Sequence, residues 1–221
     1  LRRILVVSQY TISIILIIGT MIIFRQLDFM KNESLGFEKD QKLILEFISD
    51  DVNTDNYSMV KNEFIRHSQI NSAAFSSSIP GRWNYLWGIW PTGQEAEKNM
   101  RMNFFQVDHD FISDYQLEMS AGRSFDKNLK TDELKFIINE SAAKTFGWFP
   151  PERALGKKIG SRGSPVIGVL KDYHFRGLQE EVAPLVIYLI EDDFKYLSLT
   201  INTENLNETL VYVKEKFQQL F

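Results

Sequence analysis

Hydrophobic and polar positions divide the chain into one long apolar stretch and a mixed remainder. Residues 4–24, ILVVSQYTISIILIIGTMIIF, contain no charged side chain, and Arg2, Arg3 and Arg25 bound them. At about 1.5 Å per residue, about 21 helical residues reach about 31 Å, which matches the hydrocarbon core of a bilayer. A signal peptide has a shorter apolar region that ends in a small-residue cleavage site, and a buried core helix usually has a polar face. The pattern therefore predicts a transmembrane helix.

The charges that flank this helix predict its orientation. Two arginines precede the apolar stretch, and Arg25 alone follows within five residues. Because cytoplasmic flanks carry the excess of Lys and Arg, the N-terminus is predicted in the cytoplasm and residues after about 25 outside. The chain begins at Leu1 rather than Met, so we expect it to be part of a longer protein.

A polar stripe runs along the predicted transmembrane helix. Gln9, Ser13 and Thr20 share one helical face with Leu16. In lipid, polar side chains find hydrogen-bond partners on neighbouring helices, so the stripe predicts packing against other transmembrane helices. A face lining a substrate path is the alternative. Residues 25–39 keep helical spacing up to the stop signals Asn32 and Gly36, which predicts an extracytoplasmic extension within a segment 1–39.

The remaining residues alternate between strand and helix patterns without a regular period. Apolar runs and period-two alternation predict strands near 42–47, 70–76, 99–108, 136–138, 164–171, 185–190 and 196–201. Helical spacing predicts helices near 55–67, 110–115 and 140–146, and from residue 205 onward. We predict an α+β fold with a mixed α/β subdomain, 40–76 plus 164–221, that is interrupted by a β-rich insertion, 77–163.

A tryptophan-rich segment lies at the start of the predicted insertion. Residues 76–91, SSSIPGRWNYLWGIWP, contain Trp83, Trp87 and Trp90, together with a Pro-Gly turn signal. Clustered aromatic side chains are typical of surfaces that bind a partner or an apolar ligand. The alternative is a small satellite core beneath a long loop. The segment is therefore a candidate loop for a partner or a cargo.

Composition excludes several classes of function. The 25 Lys and Arg against 29 Asp and Glu give a net charge of −4, which is no footprint for nucleic acid. The absence of cysteine excludes disulfides, thiolate catalysis and cysteine-bound metals. Aromatic residues make up 13% of the chain, which indicates a folded domain rather than a disordered one.

No catalytic or cofactor motif emerges from the sequence. The chain has three histidines and neither an HExxH nor a phosphate-loop pattern. The run Asp108-His109-Asp110 is predicted to be a strand end that caps a helix, and Asp172-Tyr173-His174 lacks a serine in a nucleophile elbow. We therefore predict a protein that is not an enzyme and has no cofactor or metal site.

The order of motifs resembles the extracytoplasmic domain, with its preceding membrane helix, of the FtsX-like and MacB-like permeases of ABC transporters. The resemblance extends over essentially the whole chain and depends on the order and spacing of its segments rather than on one motif. Besides residues 1–41, the matching segments are SSSIPGR at 76–82, AGRSF at 121–125, INESAAKTFGW at 138–148, ALGKKI at 154–159, VIGVLKDYHFRGLQEEVAPLVI at 166–187 and LSLTINTENLNETL at 197–210.

The resemblance implies a location, an assembly and a role. It implies a bacterial inner (cell) membrane protein whose periplasmic domain has a porter-like subdomain interrupted by a Sabre-like one. It also implies a dimeric assembly with other transmembrane helices and a cytoplasmic ABC ATPase subunit or domain. ATP hydrolysis by that partner would drive export or mechanotransmission, with no catalytic residue in this domain. Family members handle lipoproteins, peptides, macrolides and toxins, or regulate cell-wall hydrolases, and the sequence does not choose among these.

A second candidate site and two competing functions complete the sequence interpretation. The loop with Tyr173, His174, Phe175 and Arg176 is a candidate contact for the connector that follows the membrane helix. A membrane-anchored extracellular sensor domain of a signalling receptor is the main alternative to a permease. A membrane-tethered enzyme is the third hypothesis.

Overall fold

The computed structural model describes residues 2–32, 35–37, 41–47, 57–82, 85–93, 100–190 and 194–220. The chain forms two compact units, Leu1–Ser34 and Leu35–Phe221. Five α-helices and ten strands lie in the described residues. The helices are α1 Arg2–Asn32, α2 Tyr57–Ile65, α3 Phe111–Asp114, α4 Glu140–Thr145 and α5 Leu206–Leu220. The strands are β1 Lys42–Glu46, β2 Ile70–Ser76, β3 Tyr85–Ile89, β4 Met100–Val107, β5 Met119–Gly122, β6 Phe136–Asn139, β7 Lys158–Ile159, β8 Ser164–Leu170, β9 Leu185–Leu189 and β10 Tyr196–Ile201. Two short 3-10 helices are η1 Lys130–Leu134 and η2 Pro151–Ala154.

The first unit is the single helix α1. Its part Arg2–Met30 is long and apolar enough to cross a membrane, as the sequence predicts. The Thr20 hydroxyl donates a hydrogen bond to the Leu16 carbonyl oxygen at 2.8 Å, so this polar side chain is satisfied within the helix. The proposed packing of the Gln9–Thr20 stripe against other helices stays a prediction.

The second unit is built on one mixed sheet. Along the described strands the order is β1-β10-β2-β4-β9-β6-β8-β5, with β3 also paired to β4 and β7 to β8. β4 and β9 run parallel, as do β6 and β8, whereas the other pairs are antiparallel. The predicted α+β class with one long, apolar N-terminal helix is confirmed.

One sparse junction divides the sheet. β2 and β4 are paired only at Ser76 and Val107. On one side, β1, β10 and β2 share a core with α2 and α5, which contains Phe64, Phe75 and Leu197. On the other side, β8 and β9 pair with β4, β5 and β6, although the predicted division assigns residues 164–221 to the first subdomain. The subdomain boundaries themselves stay a prediction.

Helix α4, Glu140–Thr145, falls on the helix predicted near 140–146. Asn139 accepts a hydrogen bond from the Ala142 amide at 3.0 Å and caps the helix. Gly147 adopts φ +74° just beyond the C-terminus, a conformation that glycine adopts without a steric penalty. This cap positions α4 over one face of the sheet.

Three strands, β3, β5 and β7, lie outside the predicted strand positions, and β3 is the one that bears on the tryptophan-rich segment. Residues 85–89 form β3, which pairs antiparallel with β4, inside a segment that the sequence indicates as a long loop. Gly88 and three exposed side chains in a row hide the strand pattern. Only pairing with β4, which lies beyond residue 99, reveals it.

Candidate functional site

An aromatic groove opens on one face of the sheet and is the candidate functional site. Its volume is about 430 Å³, which lies within the range of small-molecule sites. Five aromatic residues, contributed by β3, β4, β6 and β9, form its floor: Tyr85, Trp87, Phe104, Phe136 and Tyr188. Two walls, residues 133–135 and residues 159–164, enclose it.

Strand register explains why these rings come together. Tyr85 is opposite Phe104 in the β3–β4 pair, and Tyr188 is opposite Phe136 in the β6–β9 pair. Gln106 is opposite Tyr188 in the parallel β4–β9 pair. Because side chains alternate between the two faces of a strand, Phe104 lies on the same face as Gln106. The rings from all four strands therefore share that face. The Phe104 and Tyr188 rings lie 5.9 Å apart at 74°, and the Phe136 and Tyr188 rings lie 6.1 Å apart at 66°. These edge-to-face contacts hold the floor in place.

The same face of the sheet is closed at one end and open at the other. At the closed end, Met102, Ile138 and Val186 are fully buried beneath α4 and η2. At the open end, Tyr85 is 47% exposed, and on the same edge strand Trp87, which is opposite Met102, is 67% exposed. Exposed aromatic side chains of this size are typical of binding surfaces.

A buried carboxylate fixes the first wall. Asp132 of η1 is fully buried and accepts hydrogen bonds from Arg123 Nη1 at 2.6 Å, Arg123 Nη2 at 2.8 Å and Lys135 Nζ at 2.9 Å. The Asp126 amide donates a fourth hydrogen bond at 3.0 Å. The bidentate Arg123 contact, with Lys135 and this amide, holds the pKa of Asp132 well below its ordinary value. The wall that carries Glu133 and Lys135 is therefore preorganised at neutral pH.

The second wall is a basic turn between β7 and β8. Residues 153–171 contain no acidic side chain, whereas Lys157, Lys158 and Arg162 are all exposed. Two backbone hydrogen bonds attach the turn to the end of the tryptophan-rich segment, from the Gly160 amide to the Trp90 carbonyl at 2.9 Å and from the Thr92 amide to the Lys158 carbonyl at 2.8 Å. The wall thus presents positive charge beside an aromatic floor.

The loop that begins at Tyr173 packs inside the second unit. Tyr173 and Phe175 are 2% and 1% exposed, and burial raises the pKa of Tyr173. The His174 amide donates a hydrogen bond to the Leu35 carbonyl at 2.8 Å, and the Phe37 and Tyr173 rings lie 6.0 Å apart. Arg176 Nη2 donates to Asn103 Oδ1 at 2.8 Å. The loop therefore contacts the residues 35–37 and strand β4.

The run Asp108-His109-Asp110 forms the predicted strand end and helix cap. Asp108 Oδ1 accepts from the Phe111 amide at 3.0 Å at the start of α3, and Asp108 Oδ2 contacts Lys61 Nζ at 2.5 Å. Burial opposes the charge on Lys61, but the adjacent Asp108 and Asp110 carboxylates outweigh it and raise the pKa of the ammonium. Among the described residues, no group of three or more His, Asp or Glu side chains is arranged to hold a metal.

Comparison with known proteins gives a result only at the level of structure. No family model matches the chain, and no curated protein sequence matches it. The periplasmic region of MacB from Actinobacillus actinomycetemcomitans superposes with a TM-score of 0.57 and 15% identity, over 84% of this chain and 86% of that one. The fold is that of the MacB periplasmic region.

A second solved structure agrees with this assignment. The extracellular domain of the noncanonic ABC-type transporter YknZ from Gram-positive bacteria superposes with a TM-score of 0.52 and 16% identity, over 76% of this chain and 88% of that one. The predicted resemblance to MacB-like extracytoplasmic domains is thus confirmed for the fold.

Within this MacB fold, the predicted tryptophan site is only partly described. Trp87 lies on the groove floor, Trp90 is partly exposed beside the basic turn, and Trp83 lies outside the described residues. Sequence reasoning missed Phe104, Phe136 and Tyr188. The alternation in 100–107 and 185–190 could have placed their side chains on one face of each strand, but not beside one another.

Proposed function

We propose that this chain is the extracytoplasmic domain, with its preceding transmembrane helix, of an ABC transporter permease. The MacB fold over 84% of the chain is the observation that carries the proposal. In this role the domain has no chemistry of its own. It couples ATP hydrolysis by a cytoplasmic ABC ATPase subunit or domain to a conformational change outside the membrane, for export or mechanotransmission.

The proposed topology follows from the apolar helix and its flanking charges. Helix α1 spans a bacterial inner (cell) membrane, with Arg2 and Arg3 in the cytoplasm and residues after about 25 in the periplasm or outside the cell. The Gln9, Ser13 and Thr20 stripe packs against other transmembrane helices of the same permease, and the assembly is dimeric. The porter-like part, 40–76 plus 164–221, and the Sabre-like part, 77–163, are the subdomains that move.

Residues 35–37 are the proposed entry point for movement of the membrane helix. They follow α1 in sequence and lie against the 173–176 loop through the His174–Leu35 hydrogen bond and the Phe37–Tyr173 ring contact. Gly36 has φ +81°, and a Cβ at this position would lie 2.9 Å from the Tyr173 Cβ. Displacement of these residues therefore acts directly on a fully buried part of the domain.

A glycine pair provides a matched test of that entry point. Gly36→Ala introduces both a strained backbone and a steric clash with Tyr173, whereas Gly147→Ala has a similar φ of +74° and open space around its Cβ. In the full-length permease, Gly36→Ala should reduce transport per ATP hydrolysed without loss of the ATPase subunit. Equal transport by both variants would exclude residues 35–37 as the coupling point.

The aromatic groove is the proposed surface for a partner or a cargo. Its support is the exposed Trp87 beside the ring contacts of Phe104 and Tyr188. Replacement of Trp83, Trp87 and Trp90 by Ala should impair export while the domain stays folded. Leu86→Ala is the control, because Leu86 is exposed on the same strand and does not line the groove.

Purification of the full-length parent protein tests the proposed function as a whole. The protein is extracted in a mild detergent, and co-purifying chains are identified by mass spectrometry. A chain with an ABC ATPase domain, or such a domain in the same polypeptide, is the expected result. A kinase or cyclase output domain in the parent would overturn the permease proposal in favour of the sensor.

A further inference from the structure

We infer that the aromatic groove binds a soluble aromatic anion, a small molecule with a ring body and a carboxylate, sulfonate or phosphate group. The inference names a ligand class for the groove of the proposed function and rests on that proposal. Its test measures binding, so its failure is distinguishable from the absence of an ATPase partner.

The floor of the groove fits the ring body of such a ligand. Its volume of about 430 Å³ suits a small molecule rather than a protein segment, which needs a larger contact area. Trp87 presents an exposed ring, while Phe104 and Tyr188 are held by edge-to-face contact. A planar ligand inserted between them gains stacking and excludes water from a surface that is otherwise wet.

The basic turn fits the anionic group. Arg162 and Ser161 line the groove, and Arg162 makes no ion pair with any described residue. Lys158 is exposed on the adjoining strand β7, and residues 153–171 contain no acid. A guanidinium with free donors binds carboxylates and phosphates through paired hydrogen bonds.

The wall of residues 133–135 contributes the other charges of the groove and favours the same orientation. Glu133 is the one carboxylate among the described lining residues, and it lies on η1 rather than on the basic turn. The Lys135 ammonium is already bound to Asp132 at 2.9 Å. An anion is therefore attracted to the Arg162 side and repelled from the Glu133 side, which gives the ligand one direction in the groove.

Photolabelling with a matched pair of probes tests the inference. The full chain is placed in nanodiscs of neutral phosphatidylcholine and irradiated with 4-benzoylbenzoate or with its uncharged analogue, 4-methylbenzophenone. Labelled peptides are mapped by mass spectrometry as a function of probe concentration. The readout is the half-saturating concentration for labelling of the β4, β6 and β9 peptides.

The anionic probe should label these strands at lower concentration than the neutral one. Arg162→Gln should raise the half-saturating concentration of the anionic probe about threefold or more and leave the neutral probe unchanged. Arg153→Gln, an exposed arginine on η2, is the control for net charge. Trp87→Ala should weaken both probes about fivefold or more, and Leu86→Ala should change neither by more than about twofold.

Four results would overturn the inference. They are equal labelling by both probes, equal effects of Arg162→Gln and Arg153→Gln, labels spread over the chain instead of the groove strands, and no effect of Trp87→Ala. Suppression of labelling by phosphatidylglycerol in the nanodisc would assign the groove to a lipid headgroup instead. Suppression by a higher protein concentration would assign it to a second copy of this chain.

Discussion

The closed and open ends of one sheet face differ in what covers them, although both follow the same alternation along β4, β6 and β9. The closed end carries Met102, Ile138 and Val186 beneath α4, and all three are fully buried. The open end carries the rings of Tyr85, Phe104, Phe136 and Tyr188, and no residue of α4 lines the groove there. The hydroxyl groups of Tyr85 and Tyr188 tolerate water, and the edge-to-face contacts of Tyr188 with Phe104 and Phe136 hold these rings without a cover, so the groove stays available for a ligand.

The largest expected effect is the loss of packing at the closed end. Ile138→Ala should lower the free energy of unfolding by about 2–5 kcal/mol, because Ile138 is fully enclosed and its removal leaves a cavity. Guanidinium titration of the full chain in mild detergent measures this. A loss below about 1 kcal/mol would show that the closed end is loosely packed and that the two ends do not differ.

The second-largest loss of stability is expected when the cap that holds α4 over the closed end is removed. Asn139 Oδ1 accepts from the Ala142 and Leu185 amides, and Asn139 Nδ2 donates to the Ala183 carbonyl at 2.9 Å. Asn139→Ala should lower the free energy of unfolding by about 2–3 kcal/mol, since it removes the cap and leaves buried backbone groups unpaired.

An exposed threonine on the same helix is the control for that cap. Thr145→Ala removes only a local bond to the Ser141 carbonyl and should change stability by less than about 0.5 kcal/mol. Equal losses from Asn139→Ala and Thr145→Ala would contradict the role given to the cap.

A smaller, pH-dependent effect is expected at the wall of the open end. The pKa of Asp132 is lowered in the folded protein, so its stabilisation is complete above the ordinary value of 3.8 and is lost as the pH falls below that value. The difference in unfolding free energy between wild type and Asp132→Asn should therefore shrink on acidification from pH 6 to about pH 3. Thr131→Ala removes no titratable group, so the difference in unfolding free energy between wild type and this variant should be independent of pH. A constant difference for Asp132→Asn would exclude the ion pair.

The smallest effect on stability is expected on the floor of the groove. Trp87→Ala should change the free energy of unfolding by less than about 1 kcal/mol, because the side chain is 67% exposed. The same denaturant titration compares it with Ile138→Ala. A loss as large as that of Ile138→Ala would mean that Trp87 serves the core rather than a binding surface.

Local signals predicted most of the elements. A sequence predicts a feature well when that feature depends on residues a few positions apart. This is true of the charge-free run before Arg25, and of the Asn139 cap and Gly147 turn that bound α4. β3 escaped prediction because its partner β4 begins eleven residues after β3 ends, and its own side chains are mostly exposed. Of the site, the sequence indicated Trp87 by its aromatic neighbourhood but gave no sign of Tyr188 or Arg162.

The sequence by itself determined the long apolar helix, the alternation of most strands and the ends of helix α4, because neighbouring residues control these features. Only the tertiary structure decided which strands lie side by side. The parallel pairing of β4 with β9 joins residues 103–107 to residues 185–189 across the whole intervening chain. That pairing brings Phe104 beside Tyr188 and leaves one end of the face without a cover from α4. The groove is therefore a product of contacts distant in sequence, which no local pattern encodes.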